Sequence, residues 1–448
     1  MRYAITVIVL LPFIMLAVPA ETVYEPTWES LDQRPNPEWF TDAKFGIFIH
    51  WGVYSVPAWG PKDRYSEWYW HDMQNKEGET WQFHERVYGA DFPYTHFAHQ
   101  FKAELFDPAE WADIFARAGA RYVVLTSKHH DGYALWPSEQ SWNWNSMDIG
   151  PQRDLCGELI EAVRAEGLRM GFYYSFYEWF NPLYHRDVHA YVDQHMLPQL
   201  MDLVQRYQPD IVWPDGEWDH PSVVWRSRDF LAWLFNHSDA PEDVAINDRW
   251  GRETRAVHGG FATPEYQHIS EGRLMDAGRL EECQGMGKSF GYNRNENVDD
   301  YRSTAELLEL LIDTVSRGGN LLLDIGPAAD GRIPVIMQQR LIEIGEWLDV
   351  NGEAIYGSRR WRENREGDKI RYTTKDGVVY AILLGWPGDE VTLETPQAGD
   401  DITVSMLGVD EPLTVRIQDD KLIITMPVLT PDRVPCDHHF VLRLEGVE

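Results

Sequence analysis

The chain is predicted to be an α/β protein: a (β/α)8-like, TIM-type barrel followed by a C-terminal antiparallel β-sandwich. From Phe40 to about Ser358, short β-rich runs alternate with helical stretches over more than 300 residues, the signature of a closed parallel barrel. The strand runs are nearly continuous in apolar residues, as expected of strands covered on both faces. After about Arg360 the pattern changes to apolar residues at every second position, the mark of half-buried antiparallel strands.

Taken in order, residues 1–20 stand outside the fold. Arg2 precedes an apolar run from Ile5 to Leu16, and Ala17-Val18-Pro19-Ala20 ends in a small residue, so this segment reads as a secretory signal cut after Ala20. The run is too short for a membrane span, and no other stretch reaches ~18 apolar residues. The barrel is expected over 24–358. Its strand candidates are 45–51 (FGIFIHW), 122–130 (YVVLTSKHH), 170–175 (MGFYYS), 211–216 (IVWPDG), 244–250 (VAINDRW) and 320–326 (NLLLDIG). Helices are expected at about 108–118, where Asp107-Pro108 supplies an N-cap and first-turn proline, then at 154–166, 189–207, 304–317 and 338–350. No GxGxxG follows a strand, which weakens a dinucleotide-binding sheet. The sandwich is expected over 359–448, with turns at Pro387-Gly388-Asp389 and Asp419-Asp420.

Composition narrows the function. Among 448 residues, 40 Lys and Arg stand against 72 Asp and Glu, a net charge of −32 that becomes −33 once Arg2 is lost with the leader. Such a surface repels phosphate backbones and anionic membranes, so nucleic acid is not an expected partner. Cys156, Cys283 and Cys436 are far apart, with no CxxC, so neither a disulfide framework nor a cysteine zinc site fits. The 20 Trp and 21 Tyr offer flat faces with polar edges that suit sugar rings, although most must be core. Asn236-His237-Ser238 is a glycosylation sequon, relevant in a eukaryotic host.

Polar and aromatic residues gather at the C-terminal ends of the expected strands, the catalytic edge of such a barrel. These endings are His50-Trp51, Ser127-Lys128-His129-His130-Asp131, Tyr173-Tyr174, Trp213-Pro214-Asp215-Gly216 and Asn247-Asp248-Arg249-Trp250. Asp215 leaves a buried strand beside an aromatic, in surroundings that penalise a spare charge; its bland reading is a loop carboxylate in an Asp-Gly turn, with Glu217 as the rival. Adjacent histidines on a strand point to opposite faces, so His129 and His130 are expected not to share one metal ion, and no HxH or HExxH occurs. No metal and no cofactor are expected. A glycosidase of the common kind needs a second carboxyl group. Glu265, Glu271, Asp276, Glu281 and Glu282 lie downstream in segments that read as irregular, and Glu67 sits in a tryptophan-rich loop.

FGIFIHWG, SEWYW, KHHDGYALW, DIVWPDGEW, NDRWG, TPEY, SFGYNRNE and GGNLLLDIGP occur in an order that resembles the α-L-fucosidases of glycoside hydrolase family 29, from about Glu38 to Trp361. The resemblance implies a secreted or lysosomal exo-acting enzyme that releases terminal L-fucose with retention of configuration. It makes Asp215 the nucleophile and points to Glu265 as general acid/base, with Glu281 and Glu282 as alternatives on the same loops. It implies fucose contacts at His50, Glu67, Trp68, His129, His130, Tyr173, Trp213, Arg249 and Phe290, the last as an apolar wall for the sugar's methyl group. Two departures are visible: Pro214 precedes the nucleophile, and Asp324 stands where many relatives carry Asn. The expected partner is a fucosylated oligosaccharide or glycoconjugate, and the sequence is compatible with a monomer or a homo-oligomer. Periplasmic, extracellular and lysosomal destinations stay open, as do linkage preference and the outer subsites expected from residues 61–94 and 219–238. Two other readings stand beside this one: a metal-dependent barrel hydrolase using His129, His130 and Asp215, and a non-catalytic fucose-binding protein.

Overall fold

A computed structural model describes residues 22–62, 64–266, 274 and 279–447; the expected leader, Glu271 and Asp276 lie outside the described residues. Seven parallel strands form one curled sheet: β1 (Phe45–Ile49), β2 (Tyr122–Lys128), β3 (Arg169–Ser175), β4 (Ile211–Asp215), β5 (Ala245–Ile246), β6 (Glu281–Gly285) and β7 (Asn320–Ile325). Their spatial order is β5-β4-β3-β2-β1-β7-β6, so chain order runs around the cylinder. The gap between β5 and β6 is filled by residues 262–265. Ala262 and Glu265 make parallel bridges to Leu280 and Cys283, and an added Cβ at Gly260 would lie 2.3 Å from the Ile246 carbonyl oxygen. Only a glycine lets the backbone approach β5 this closely. The eighth rung is therefore an irregular segment ending at Glu265.

The strands are buried along nearly their whole length, which explains their continuous apolar runs. β6 is the exception in composition: Glu-Glu-Cys-Gln-Gly is fully buried yet polar, and it was not expected as a strand. Alternation resolves this. Glu281 accepts hydrogen bonds from the Tyr122 hydroxyl (2.7 Å) and the Trp213 indole N–H (2.8 Å). Glu282 turns the other way, to Thr314 of the helix Thr304–Ser316 and to Arg317, which caps it. Pro214, which cannot donate, is tolerated in β4 because β5 is only two residues long and pairs no further than Val212.

Helix ends follow the expected signals. Asp107 accepts from the backbone N–H groups of Ala109 (3.0 Å) and Glu110 (3.3 Å), and Asp154 from that of Gly157 (2.9 Å). The helix expected over 189–207 is broken instead: a π-type turn at Val192–Met196 precedes Leu197–Tyr207, because Pro198 cannot donate to the preceding turn. The Asn236 side chain is tied to both backbone groups of Tyr24 (2.9 and 2.7 Å), so a glycan on the sequon would break that pairing.

Beyond the barrel, β8 (Arg359–Glu366), β9 (Ile370–Lys375), β10 (Val378–Leu383), β12 (Ala398–Met406) and β15 (Phe440–Val447) form one antiparallel sheet. A smaller one holds β11 (Glu390–Leu393), β13 (Val415–Gln418) and β14 (Lys421–Thr425). Val391, Leu393, Leu422, Ile424, Leu442 and Leu444, all at alternate positions, fill the core between the sheets. Asp419 and Asp420 both take positive φ (52° and 61°), as a two-residue hairpin requires. All three cysteines are free. No helix among the described residues is long and apolar enough to cross a membrane.

Candidate active site

A cavity of about 120 Å3 opens at the C-terminal end of the barrel strands, lined by Phe48, His50, Tyr65, Glu67, Trp68, His129, His130, Tyr173, Trp213, Asp215, Trp218, Glu265 and Phe290. Every residue expected at the site lines it except Arg249, which is fully buried one layer behind. The volume lies well below the ~300–1,000 Å3 of pockets for drug-sized ligands, and suits one monosaccharide.

Asp215 ends β4, where Gly216 takes a positive φ of 73° and turns the chain away past Tyr177. Its Oδ2 accepts from the Tyr173 hydroxyl (2.9 Å) and its Oδ1 from Arg249 Nη1 (2.6 Å). Burial alone would raise its pKa; Arg249, helped by His130 and Arg255, overcomes this and holds the carboxyl at about 2. Asp215 is thus an anion kept at a buried position. Arg249 is itself fixed: Nε and Nη2 donate to the side chain (2.7 Å) and carbonyl (2.9 Å) of Thr263, and the guanidinium lies 4.4 Å from the centre of the Trp213 ring.

The same Nη1 also contacts Glu265. Two carboxylate oxygens that share one nitrogen can be no farther apart than two hydrogen-bond lengths, about 6 Å. The Glu265 side chain keeps 29% of its exposure, so one carboxyl is buried and the other stands at the mouth. Glu281 and Glu282 do not line the cavity: the first props Trp213 from the barrel interior and the second faces the outer helix. Glu217, the rival to Asp215, is buried against Arg255 (2.6 Å) and also lies outside the lining.

His129 and His130 correct one expectation. β2 stops at Lys128, and the following turn puts both rings in the cavity, 4.0 Å apart between centroids, where a straight strand would have sent them to opposite faces. Their chemistry remains that of neutral imidazoles. Burial pushes His130 down to about 4 and His129 well below its ordinary value. The Ser175 hydroxyl donates to the Tyr177 carbonyl (2.7 Å), so His130 Nδ1 must donate to Ser175 (2.7 Å) and its Nε2 lone pair faces the cavity. No group of three or more His, Cys, Asp or Glu side chains arranged to hold a metal occurs among the described residues.

Glu67 is buried at the opposite wall, where it accepts from the Gly291 N–H (2.8 Å) and the Ser289 hydroxyl (3.2 Å). Burial outweighs these donors and raises it to about 7. Phe290 stacks on His50 at 4.9 Å and meets Tyr65 at 5.3 Å, forming an apolar wall with Phe48. Tyr65 and Trp218 were not anticipated, though each adjoins a motif that was: Tyr65 precedes Ser-Glu-Trp and Trp218 follows Asp-Gly-Glu. A shallow groove of about 290 Å3, lined by Arg64, Tyr65, Trp68, His71 and Asp72, adjoins the cavity and shares Tyr65 and Trp68 with it.

The chain is similar to proteins of one family along nearly its whole length. The sequence model of the alpha-L-fucosidase family matches residues 13–353, and that of the alpha-L-fucosidase C-terminal domain matches 363–445. The chain is 46% identical to the tissue alpha-L-fucosidase of Rattus norvegicus, over 95% of its own length and 93% of the relative's. It also superposes on Thermotoga maritima alpha-fucosidase in complex with a mechanism-based inhibitor, with TM-score 0.82 and 38% identity over 94% of this chain and 99% of that one. The same enzyme in complex with fucose gives TM-score 0.80 and 37% identity, covering 94% and 100%.

Proposed function

The chain belongs to the α-L-fucosidase family and hydrolyses fucosyl bonds, and from that premise we propose that it does so by double displacement, with Asp215 as nucleophile and Glu265 as general acid/base. One observation carries this reading: the two carboxyls flank one cavity and share Arg249 Nη1. Two carboxyls held on one nitrogen are close neighbours, as a retaining pair (~5–5.5 Å) requires, rather than the ~6.5–9.5 Å of an inverting pair.

The ionised Asp215 attacks the anomeric carbon as the C–O bond to the leaving sugar breaks, and the leaving oxygen takes the proton of Glu265. Arg249 shields Asp215 from protonation until then. Water enters at the vacated side and gives a proton to Glu265, and its oxygen displaces Asp215 from the anomeric carbon. Fucose leaves with its original configuration and both carboxyls are restored. His130 Nε2 accepts from a ring hydroxyl, Glu67 and Trp68 hold further polar edges, and the Phe48–Phe290 wall takes the 6-methyl group. The rest of the glycan extends over the groove at Arg64, Trp68 and His71. Residues 1–20 act as an export signal, so the substrate is a glycan met outside the cytoplasm.

The test follows the sugar's configuration. With an aryl α-L-fucoside, NMR of fresh product should show the α anomer first. Asp215→Ala should be inactive, and added azide should yield a fucosyl azide of inverted configuration. A β anomer as first product, or a retained azide, would refute the assignment.

A further inference from the structure

His50 closes β1 with its ring against the cavity, and its Nδ1 lies 2.6 Å from Oδ1 of Asp324 on β7. Both are buried, and the second oxygen of Asp324, Oδ2, has no hydrogen-bond partner. The groups facing the pair are few. Glu67 comes from the 66–68 turn, Tyr54 from the 53–55 turn, Tyr266 from just past the eighth rung, and His129 from the turn after β2 at 5.7 Å between ring centres; Tyr173 lies at 5.8 Å and Phe290 stacks on the imidazole. Asp215, His130 and Arg249 act from farther off. Among the described residues, no Lys or Arg pairs with Asp324 or Glu67.

A carboxyl hydrogen-bonded to an imidazole has two relevant states. With one proton, the carboxylate accepts from Nδ1–H, Nε2 is a bare lone pair, and the pair carries −1. With two, the pair is neutral and Nε2 bears a hydrogen. A buried site holding a second carboxyl and no paired cation strongly disfavours the extra negative charge. We propose that Asp324 is a positioning residue that keeps a proton on His50 Nε2, so that His50 meets the sugar as a hydrogen-bond donor, until the pair releases one proton on the alkaline side. Burial moves the two groups as this requires: His50 falls to about 3 and Asp324 rises well above the ordinary carboxylate range. The site then offers the sugar one imidazole donor, His50, and one imidazole acceptor, His130.

This inference rests on the fucosyl-binding reading of the cavity, and the experiment separates the two. The full chain is labelled with 15N-histidine, the His50 resonances are assigned with His50→Gln, and Nε2 protonation is followed from pH 5 to 9 beside the inhibition constant of L-fucose. His50 Nε2 should carry a proton at pH 5.5 and lose it at alkaline pH, and fucose binding should weaken about tenfold through the same inflection. Asp324→Asn, whose amide cannot ionise, should lack that inflection in both readouts, whereas Glu67→Gln should keep it. A bare Nε2 at every pH, or an unchanged inflection in Asp324→Asn, overturns the inference. The wild-type spectrum decides alone if that variant does not fold. Failure of L-fucose to bind at any pH would instead strike the reading of the cavity, leaving the proton assignment to the spectra.

Discussion

Replacing Arg249 with Met tests how the site keeps a buried carboxylate ionised. Arg249 makes the short contact to Asp215 and also holds Glu265, and with it Asp215 sits at about 2 against an ordinary 3.8. That net depression is on the order of 2 kcal/mol in favour of the anion, and burial works against it, so the guanidinium supplies more than the net. Methionine keeps much of the volume and removes the charge. The acidic limb of kcat/KM, which reports the free enzyme, should move up by at least two pH units. Arg255, 3.6 Å from Asp215, limits the shift but is already engaged by Glu217. Loss of one charge-assisted contact, worth ~1.5–3 kcal/mol, should also lower kcat/KM at pH 7 by about 10- to 10²-fold. Stopped assays with an aryl fucoside across pH 3–8, with circular dichroism to verify folding, read both effects. Arg249→Lys, which keeps a charge but cannot span both carboxyls and Thr263, should fall between. A limb displaced by less than half a unit in a folded Arg249→Met protein would refute the argument that Arg249 sets the ionisation of Asp215.

Other outcomes follow from the same geometry. Glu265→Ala should lower kcat/KM by 10²–10⁴ for glycan substrates and far less for fucosides with acidic phenol leaving groups, because only the former need a proton donor. Glu281 is a buried carboxyl raised to about 7 from an unfolded value of ~4.3, so the native state binds the extra proton between these pH values and loses stability as pH rises through the window. Glu281→Gln should therefore match wild type in thermal melts at pH 4 and gain on the order of 3 kcal/mol relative to it at pH 8. Dialysis against EDTA should leave full activity, since the chemistry assigned to the two carboxyls uses no metal; loss restored by a divalent cation would revive the metal-hydrolase reading.

Much of this was legible in the sequence because it depends on local pattern. Six strands announced themselves as apolar runs, and Asp107-Pro108 and Asp154 mark helix starts by chemistry confined to one turn. The site was legible as a set because barrel topology sends every strand's C-terminal end to one rim. What stayed hidden depends on distant partners. β6 reads as polar because Glu281 is satisfied by Tyr122 and Trp213, which lie far away in sequence. The rung ending at Glu265 has almost no strand signal, since a close glycine approach places it rather than a ladder of hydrogen bonds. Arg249 could be tied to the site from its strand end, but only coordinates show it behind the lining, gripping both carboxyls. His129 and His130 escape strand alternation because β2 ends at Lys128, before either of them, and that early stop has no signal in the sequence.

The central claim is a covalent fucosyl ester on Asp215. Inactivation with a 2-deoxy-2-fluoro fucosyl fluoride, followed by proteolysis and mass spectrometry, tests it most directly. The expected result is one fluorofucosyl mass added to the peptide containing Trp213-Pro214-Asp215-Gly216, with fragmentation placing it on Asp215. The same label on Glu265 or Glu67, or none on an enzyme that has lost activity, would contradict it.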